Sequence, residues 1–427
     1  MNMSTRAKTI EILNKKFSIK EVLLLLSAFL LAALGFAFIY YTITTGIGVW
    51  GLTNEVVWGL DITNFVFWIG LAHAGTLISA ILFLFNARWR IVLHRQAETM
   101  TIITLICAAI YPIIHTGRPW FAAYWLIPYP STMGMWVNFR SALVWDVFAI
   151  ITYLIISLLF WYINLLPDVI ELQNETKNFR HFLFNKLALG LKKFDVHSEY
   201  YRSLYTILSG LVTAVVISVH TIVSLDFASS IVPIWHSTFF PPYFVAGAIF
   251  SGTAAIVIII QALRKSYKLN NIITEYHFDN MSKIILSMSV IITTGYFFEY
   301  ISIMSNSNSS ESVILNNRFY TPIFWTVFIC NSIIPLFLIK AKIRRNANWV
   351  CIISVFIIIG MWLERYMIIV PSLAYNQLQG SLSTYFPTLP EIGISLGSIG
   401  LFIFLFVILI RIIPIFPLFE ISEEVEK

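Results

Sequence analysis

The segment Leu105–Asp146, LICAAIYPIIHTGRPWFAAYWLIPYPSTMGMWVNFRSALVWD, closes one apolar run and opens the next. His115, Arg118, Arg140 and Asp146 stand at or near the two facing run ends, and the connection between them is rich in Pro, Trp and Tyr and has no Lys. Two such runs read as helices crossing a bilayer in opposite directions, with the rings at headgroup level. Most rings in such a belt carry no chemistry. Ionisable groups at helix ends inside it need water, a partner or a ligand, and they are the first candidates for a site.

Outward from this segment the same pattern repeats. Ten apolar runs of about 20 residues or more, the length a helix needs to span the hydrocarbon layer, lie near 20–43, 60–85, 98–116, 140–164, 203–226, 241–264, 280–304, 321–340, 349–371 and 391–414. With 58% hydrophobic and 12% charged residues, the chain is excluded from the ordinary soluble classes. The net charge of +6 does not indicate nucleic acid, because the basic residues are scattered over the ends of apolar runs. All but four of the 28 basic residues fall on one side of an alternating ten-span path; only Arg118, Arg140, Arg318 and Arg365 remain for the other side or the interior. That asymmetry predicts a multi-pass membrane protein with both termini cytoplasmic, the first run being retained as a helix. Cys107, Cys330 and Cys351 sit within apolar runs and form no Cys-x-x-Cys pair, which argues against a disulfide framework, an iron-sulfur cluster held by this chain alone and covalently attached haem.

Two connections stand out. In the stretch Leu165–Arg202, residues 182–194 are expected to lie as an amphipathic helix on the inner surface, and Ser305–Asn317 reads as a flexible outer loop. An internal echo pairs Gly70-Leu-Ala-His73-Ala-Gly75-Thr76 with Gly247-Ala-Ile-Phe250-Ser-Gly252-Thr253, small residues that let helices approach closely. Four spans separate the copies, so both run in the same direction. The expected architecture is all-α, with ten transmembrane helices in two parallel four-helix bundles, helices two to five and six to nine, flanked by one and ten. The corresponding units are residues 1–59, 60–226, 227–371 and 372–427.

Helix rise then sets the depth of each ionisable residue. His115 and Arg118 fall at the outer end of helix three and Asp146 just inside helix four. His220 and Asp226 close helix five, Glu299 lies near the outer end of helix seven, and Glu364 and Arg365 are well inside helix nine. A guanidinium at that depth needs an acidic partner or a polar ligand. Glu364 points about 100° away around the helix, so Asp146 or Asp226 is the expected partner of Arg365, with a purely structural ion pair as the competing reading. His73 is about 20 Å from the outer end of helix two, too deep for the same cluster, and stands open between proton relay, haem ligand and a ring bonded to a neighbouring carbonyl. Haem b would need two facing His at matching depth, for which His115 and His220 qualify only without a second stacked pair. Asp61, His236 and Arg140 read as solvated surface groups. The chemistry that suits the crowded outer half is quinol oxidation or reduction: each ring hydroxyl needs a His or carboxylate, and the ring needs an apolar slot open to lipid. A secondary transporter and a structural anchor are the competing classes.

The runs Asp61–Thr76, His115-Thr-Gly-Arg-Pro-Trp120, Asn138-Phe-Arg-Ser, Val144-Trp-Asp146, Ser218-Val-His220, Phe240–Gly247 and Gly360-Met-Trp-Leu-Glu364-Arg365 resemble the polysulfide-reductase membrane-subunit (NrfD-like) family. Within it the chain is most similar to the ActC-type subunits of bacterial alternative complex III. The resemblance extends over most of the chain, with Ala72 departing from an expected Gly. It implies a quinol-oxidising subunit (menaquinol or ubiquinol) of the bacterial inner membrane that holds no haem or metal itself. The implied partners are an iron-sulfur subunit at the outer face, a homologous ten-helix subunit, c-type cytochromes and a terminal oxidase, with proton release or translocation. Carried onto this sequence, it places the quinol pocket at His115, Asp146, Asp226 and Arg365, with Arg118, His220 and Glu364 around it and a proton path through His73 and Glu299. The alternatives are the quinone-reactive anchor of a molybdenum-type reductase and a proton-coupled transporter.

Overall fold

The computed structural model describes residues 2–121, 142–173, 179–191, 199–235, 238–305, 309–376 and 381–418. Ten helices have the length and apolarity to cross a membrane: Ile19–Thr45, Leu60–Leu84, His94–His115, Val144–Leu172, Glu199–Ala228, Phe240–Ser266, Glu275–Ser305, Pro322–Ile339, Ala347–Leu373 and Leu389–Ile412. They are numbered one to ten in chain order, and each coincides with one of the ten apolar runs. Arg140, His236 and most of the aromatic connection after helix three lie outside the described residues.

Local signals set the helix ends. Ser18 and Glu21 form a reciprocal capping box at the start of helix one, and Thr388 and Glu391 do the same for helix ten. The Asn346 side chain accepts from the Asn348 and Trp349 amides at the start of helix nine. Helix eight is less regular: a π turn at Ile329–Ile333 passes into a 3-10 stretch at Ile334–Ile339, where Pro335 has no amide hydrogen to continue the ladder.

Helices two and six form the centre. Helix two packs on three, five, six and nine, and helix six on two, five, seven and nine. Three, four and five follow one another in contact, and eight rests on seven and nine. The echoed small residues lie at these crossings. A Cβ on Gly252 would come within 2.5 Å of Ala74 on helix two, and one on Gly75 within 2.1 Å of the Ala97 carbonyl oxygen on helix three. The backbones therefore approach closely enough for dispersion to hold the helices together without help from water.

Helices one and ten pair along their length and rest on helix three. Gly35 meets Gly397 across that seam, a Cβ on Gly35 lying 2.6 Å from the Gly397 Cα. The remaining surface of helix one, including Leu23, Leu26, Phe29, Leu30 and Phe36, is apolar and exposed, as lipid contact requires. Near the basic face, Arg95 is fully buried, donating to Asp168 at 2.6 Å and to the Asn164 carbonyl at 2.9 Å, while the Asn164 amide donates to Glu98 at 2.8 Å. This network ties helix three to helix four.

Two connections differ from the sequence expectation or only overlap it. The Ser/Asn-rich stretch expected to be a loop contains a helix, Ser309–Phe319, because Ile314 and Leu315 have an apolar seat beside Ile234 and Ile303. The surface helix expected over 182–194 is described as Phe179–Leu187, anchored by the buried Phe184; residues 192–194 lie outside the described residues.

Candidate functional site

The expected site residues fall into three places. The first joins helices two and three. His115, the last residue of helix three, pairs through Nδ1 with Asp61 in the first turn of helix two. Asp61 also accepts from the Gly59 amide at 3.0 Å and is only 4% exposed, so the expectation that it is a solvated surface group is wrong. A charge at a helix N-terminus is stabilised by the exposed amides there, and the imidazole completes its shell. Arg118, beyond the helix end, is exposed.

The second place joins helices four and five, where the carboxyl groups of Asp146 and Asp226 face each other closely enough to interact directly. Both Asp146 oxygens and the buried Asp226 Oδ1 have no hydrogen-bond partner among the described residues. Asp146 and Asp226 therefore pair with each other and not, as expected, with Arg365. Facing carboxyls repel when both are charged, so such a pair holds one proton readily and exchanges it with a ligand.

The third place lies at the meeting of helices two, five, six and nine. The His73 and His220 rings meet at 4.0 Å between centroids. Depth counted from helix ends had put His73 out of reach of the cluster; helices of unequal length crossing at an angle bring the two rings level. His73 Nδ1 is 3.1 Å from the Ile69 carbonyl and Nε2 is 2.6 Å from the Val216 carbonyl. Both nitrogens thus lie against backbone acceptors. His220 is fully buried, and neither of its ring nitrogens has a partner among the described residues. Beyond it, the Phe244 ring lies 6.2 Å from the imidazole and carries the Arg365 guanidinium 4.3 Å above its centroid. Gly247 makes room for that guanidinium, since a Cβ there would sit 2.5 Å from Arg365 Nη2.

Glu364 and Arg365, expected to need separate partners, are 3.6 Å apart from Oε1 to Nη1. The flexible Arg stem spans the angle that separates their Cα–Cβ vectors. Glu364 also accepts from the Tyr296 hydroxyl and, at 3.0 Å, from the Asn331 amide. Glu299, placed near the outer end of helix seven, instead accepts from Arg318 at 2.9 Å. Arg318 is itself buried and donates to the Ser372 hydroxyl at 2.8 Å.

Sequence reasoning missed Asp61, the Tyr153 hydroxyl that donates to the Ala72 carbonyl beside His73, and the Tyr296–Asn331 support of Glu364. Asn331 had a readable signal, being an amide in the middle of an apolar run. Among the described residues, no group of three or more His, Cys, Asp or Glu is arranged to hold a metal ion.

With this geometry in view, the similarity to known proteins acquires meaning. The family model for polysulphide reductase, NrfD, matches residues 48–376. The chain belongs to the NrfD family. Among its relatives, a selenate reductase subunit of Mesobacillus selenatarsenatis is 24% identical over 412 residues, covering 90% of this chain and 92% of that protein. The Hdr-like menaquinol oxidoreductase integral membrane subunit of Archaeoglobus fulgidus is 21% identical over 429 residues, 93% and 95% of the two chains. The NrfD match spans helices two to nine, which carry all three polar places.

Proposed function

We propose that this NrfD-family chain is the quinone-reactive membrane subunit of a respiratory redox complex, oxidising a quinol near the face opposite the basic one. One observation carries the reading. Asp146 and His220 are buried on neighbouring helices, beside the half-buried Asp226, with polar atoms that have no hydrogen-bond partner among the described residues, and buried polar groups left so are rare unless a ligand or water completes them. A quinol supplies what they lack. Its two hydroxyl protons pass to protein bases as two electrons leave to an iron-sulfur partner docked on that face, and the ring becomes the quinone.

In this reading the Asp146–Asp226 pair takes one proton. His115, held through Nδ1 by Asp61, offers Nε2 for the other. Arg365, over Phe244 and beside Glu364, sets the charge around His220, His220 and His73 lead protons inward, and Arg118 lies where the partner docks. The menaquinol oxidoreductase relative supports menaquinol as the substrate, and the selenate reductase relative supports a reductase complex as the assembly. The other assembly is of alternative-complex-III type, with a homologous ten-helix subunit, c-type cytochromes and proton release. Both use the same quinol site and differ in what receives the electrons, so reduction of an oxyanion or of a c-type cytochrome by the purified complex separates them.

Asp146→Asn and Asp226→Asn in the intact complex test the site. The expected result is a loss of quinol oxidation of about 100-fold or more with normal assembly, the range for removing a general base. An unchanged rate in both variants would remove the carboxyl pair from the mechanism.

A further inference from the structure

A cavity lies among helices six, seven and nine, lined by residues other than the Asp146–Asp226 pair. Its volume is about 180 Å³, and its walls include Phe239, Phe240, Tyr243, Tyr296, Phe298 and Met367. An apolar cavity of about 150 Å³ admits a benzene ring, so this one has room for a single ring with substituents. The Tyr243 and Phe239 rings lie across Gly295, where a Cβ would come within 2.7 Å of Tyr243. Phe298 and Ser302 are exposed on the membrane side of helix seven and form the mouth.

Polar atoms are few and placed at defined points. Glu364 reaches the inner wall fully buried; its Oε2 accepts from Tyr296 and Asn331, while Oε1 has only the long contact to Arg365 and no hydrogen-bond partner among the described residues. Glu299 and Glu311 line the same space. Arg365 offsets the charge of Glu364 and Arg318 that of Glu299. A neutral ligand that donates a hydrogen bond to a carboxylate while laying a ring against aromatic walls fits both the charge and the shape.

We propose that this cavity is a second binding site, for the hydroxyl-bearing ring of a hydroquinone-type amphiphile whose tail leaves past Phe298 into the lipid. The choice of a quinol among ring-hydroxyl amphiphiles rests on the function proposed above. The reduced ring binds better than the oxidised one, because only the hydroxyl form can donate to Glu364.

Photolabelling of the intact complex with a diazirine-bearing alkyl benzohydroquinone, kept reduced under anaerobic conditions, tests the site. Cross-linked peptides are expected from two regions, helices four and five around Asp146 and Asp226, and helices six and seven around 239–243 and 296–302. Ser302→Trp, at an exposed position over the mouth, lowers the second set at least five-fold and leaves the first unchanged. Met367→Trp fills the cavity from helix nine and gives the same loss, covering the case in which the mouth variant does not assemble. Labelling confined to helices four and five overturns the second site while leaving the proposed function standing. Labelling of helices six and seven that neither tryptophan lowers also overturns it. No labelling in either region overturns both readings.

Discussion

At the residue scale, Arg365 concentrates the cost and the use of burying charge in a membrane protein. It sits 3% exposed over Phe244, beside Glu364, in a slot that Gly247 leaves open. Removing one member of a buried pair leaves the other uncompensated, which typically costs about 3–5 kcal/mol, whereas removing both together costs far less. Arg365→Met is therefore expected to lower the thermal stability of the detergent-purified complex strongly, and Glu364→Gln/Arg365→Met to recover most of it. Size-exclusion profiles after a temperature series report both outcomes; a double variant as unstable as the single one would show that the pair is not the unit. Arg365 was legible as a residue needing a partner, since no guanidinium rests in hydrocarbon alone. Which partner was not legible, because a helical wheel fixes where a Cβ points and not where a long side chain ends. The same limit hid Asp61: a carboxylate at a helix start reads as solvated until the neighbouring helix brings His115 to it.

At the element scale, glycines decide which helices touch. The ten spans and their order were readable from apolarity and basic asymmetry alone, because hydrocarbon demands a continuous apolar run for each crossing. The crossings themselves were only hinted at by the echo of Gly70–Thr76 in Gly247–Thr253, which the fold places at the contact of helices two and six. The pairing of helix one with helix ten left no such repeat. Gly397→Leu is expected to push these two helices apart and cost about 1–3 kcal/mol, as overpacking does. Quinol oxidation by the assembled complex should remain, since no site residue lies on either helix. A variant with unaltered melting would mean that the seam yields without strain. Helix Ser309–Phe319 was misread for a related reason: its Ser, Asn and Glu content reads as polar loop, and only the seat for Ile314 and Leu315 makes it helical.

At the scale of the whole molecule, the proposed direction of electron flow depends on which way round the chain sits. The basic ends of the helices define one face and the Asp61–His115 pair the other. In right-side-out vesicles, with the native cysteines replaced by Ser, a membrane-impermeant maleimide is expected to label Tyr320→Cys and to leave Lys342→Cys unlabelled until the vesicles are opened. The reverse pattern would put the quinol site on the cytoplasmic side. The internal symmetry read from the sequence also bears on this scale. Helices two and six meet at the centre and carry equivalent small residues, yet only helix two has a histidine at the echoed position, where helix six has Phe250. Helices two and six share a packing solution and differ in the titratable groups mounted on it.

The seam between the first and last helices has a consequence for how the protein is made. Helix one enters the bilayer well before helix ten is made, and the surface that Gly397 and Gly400 fit against it does not exist until the eight spans between them have left the ribosome. At ordinary elongation rates that interval is on the order of tens of seconds. Throughout it a groove floored by Ala28, Ala32 and Gly35 faces lipid or an insertion chaperone, so the nascent chain is most open to mispairing just before helix ten emerges.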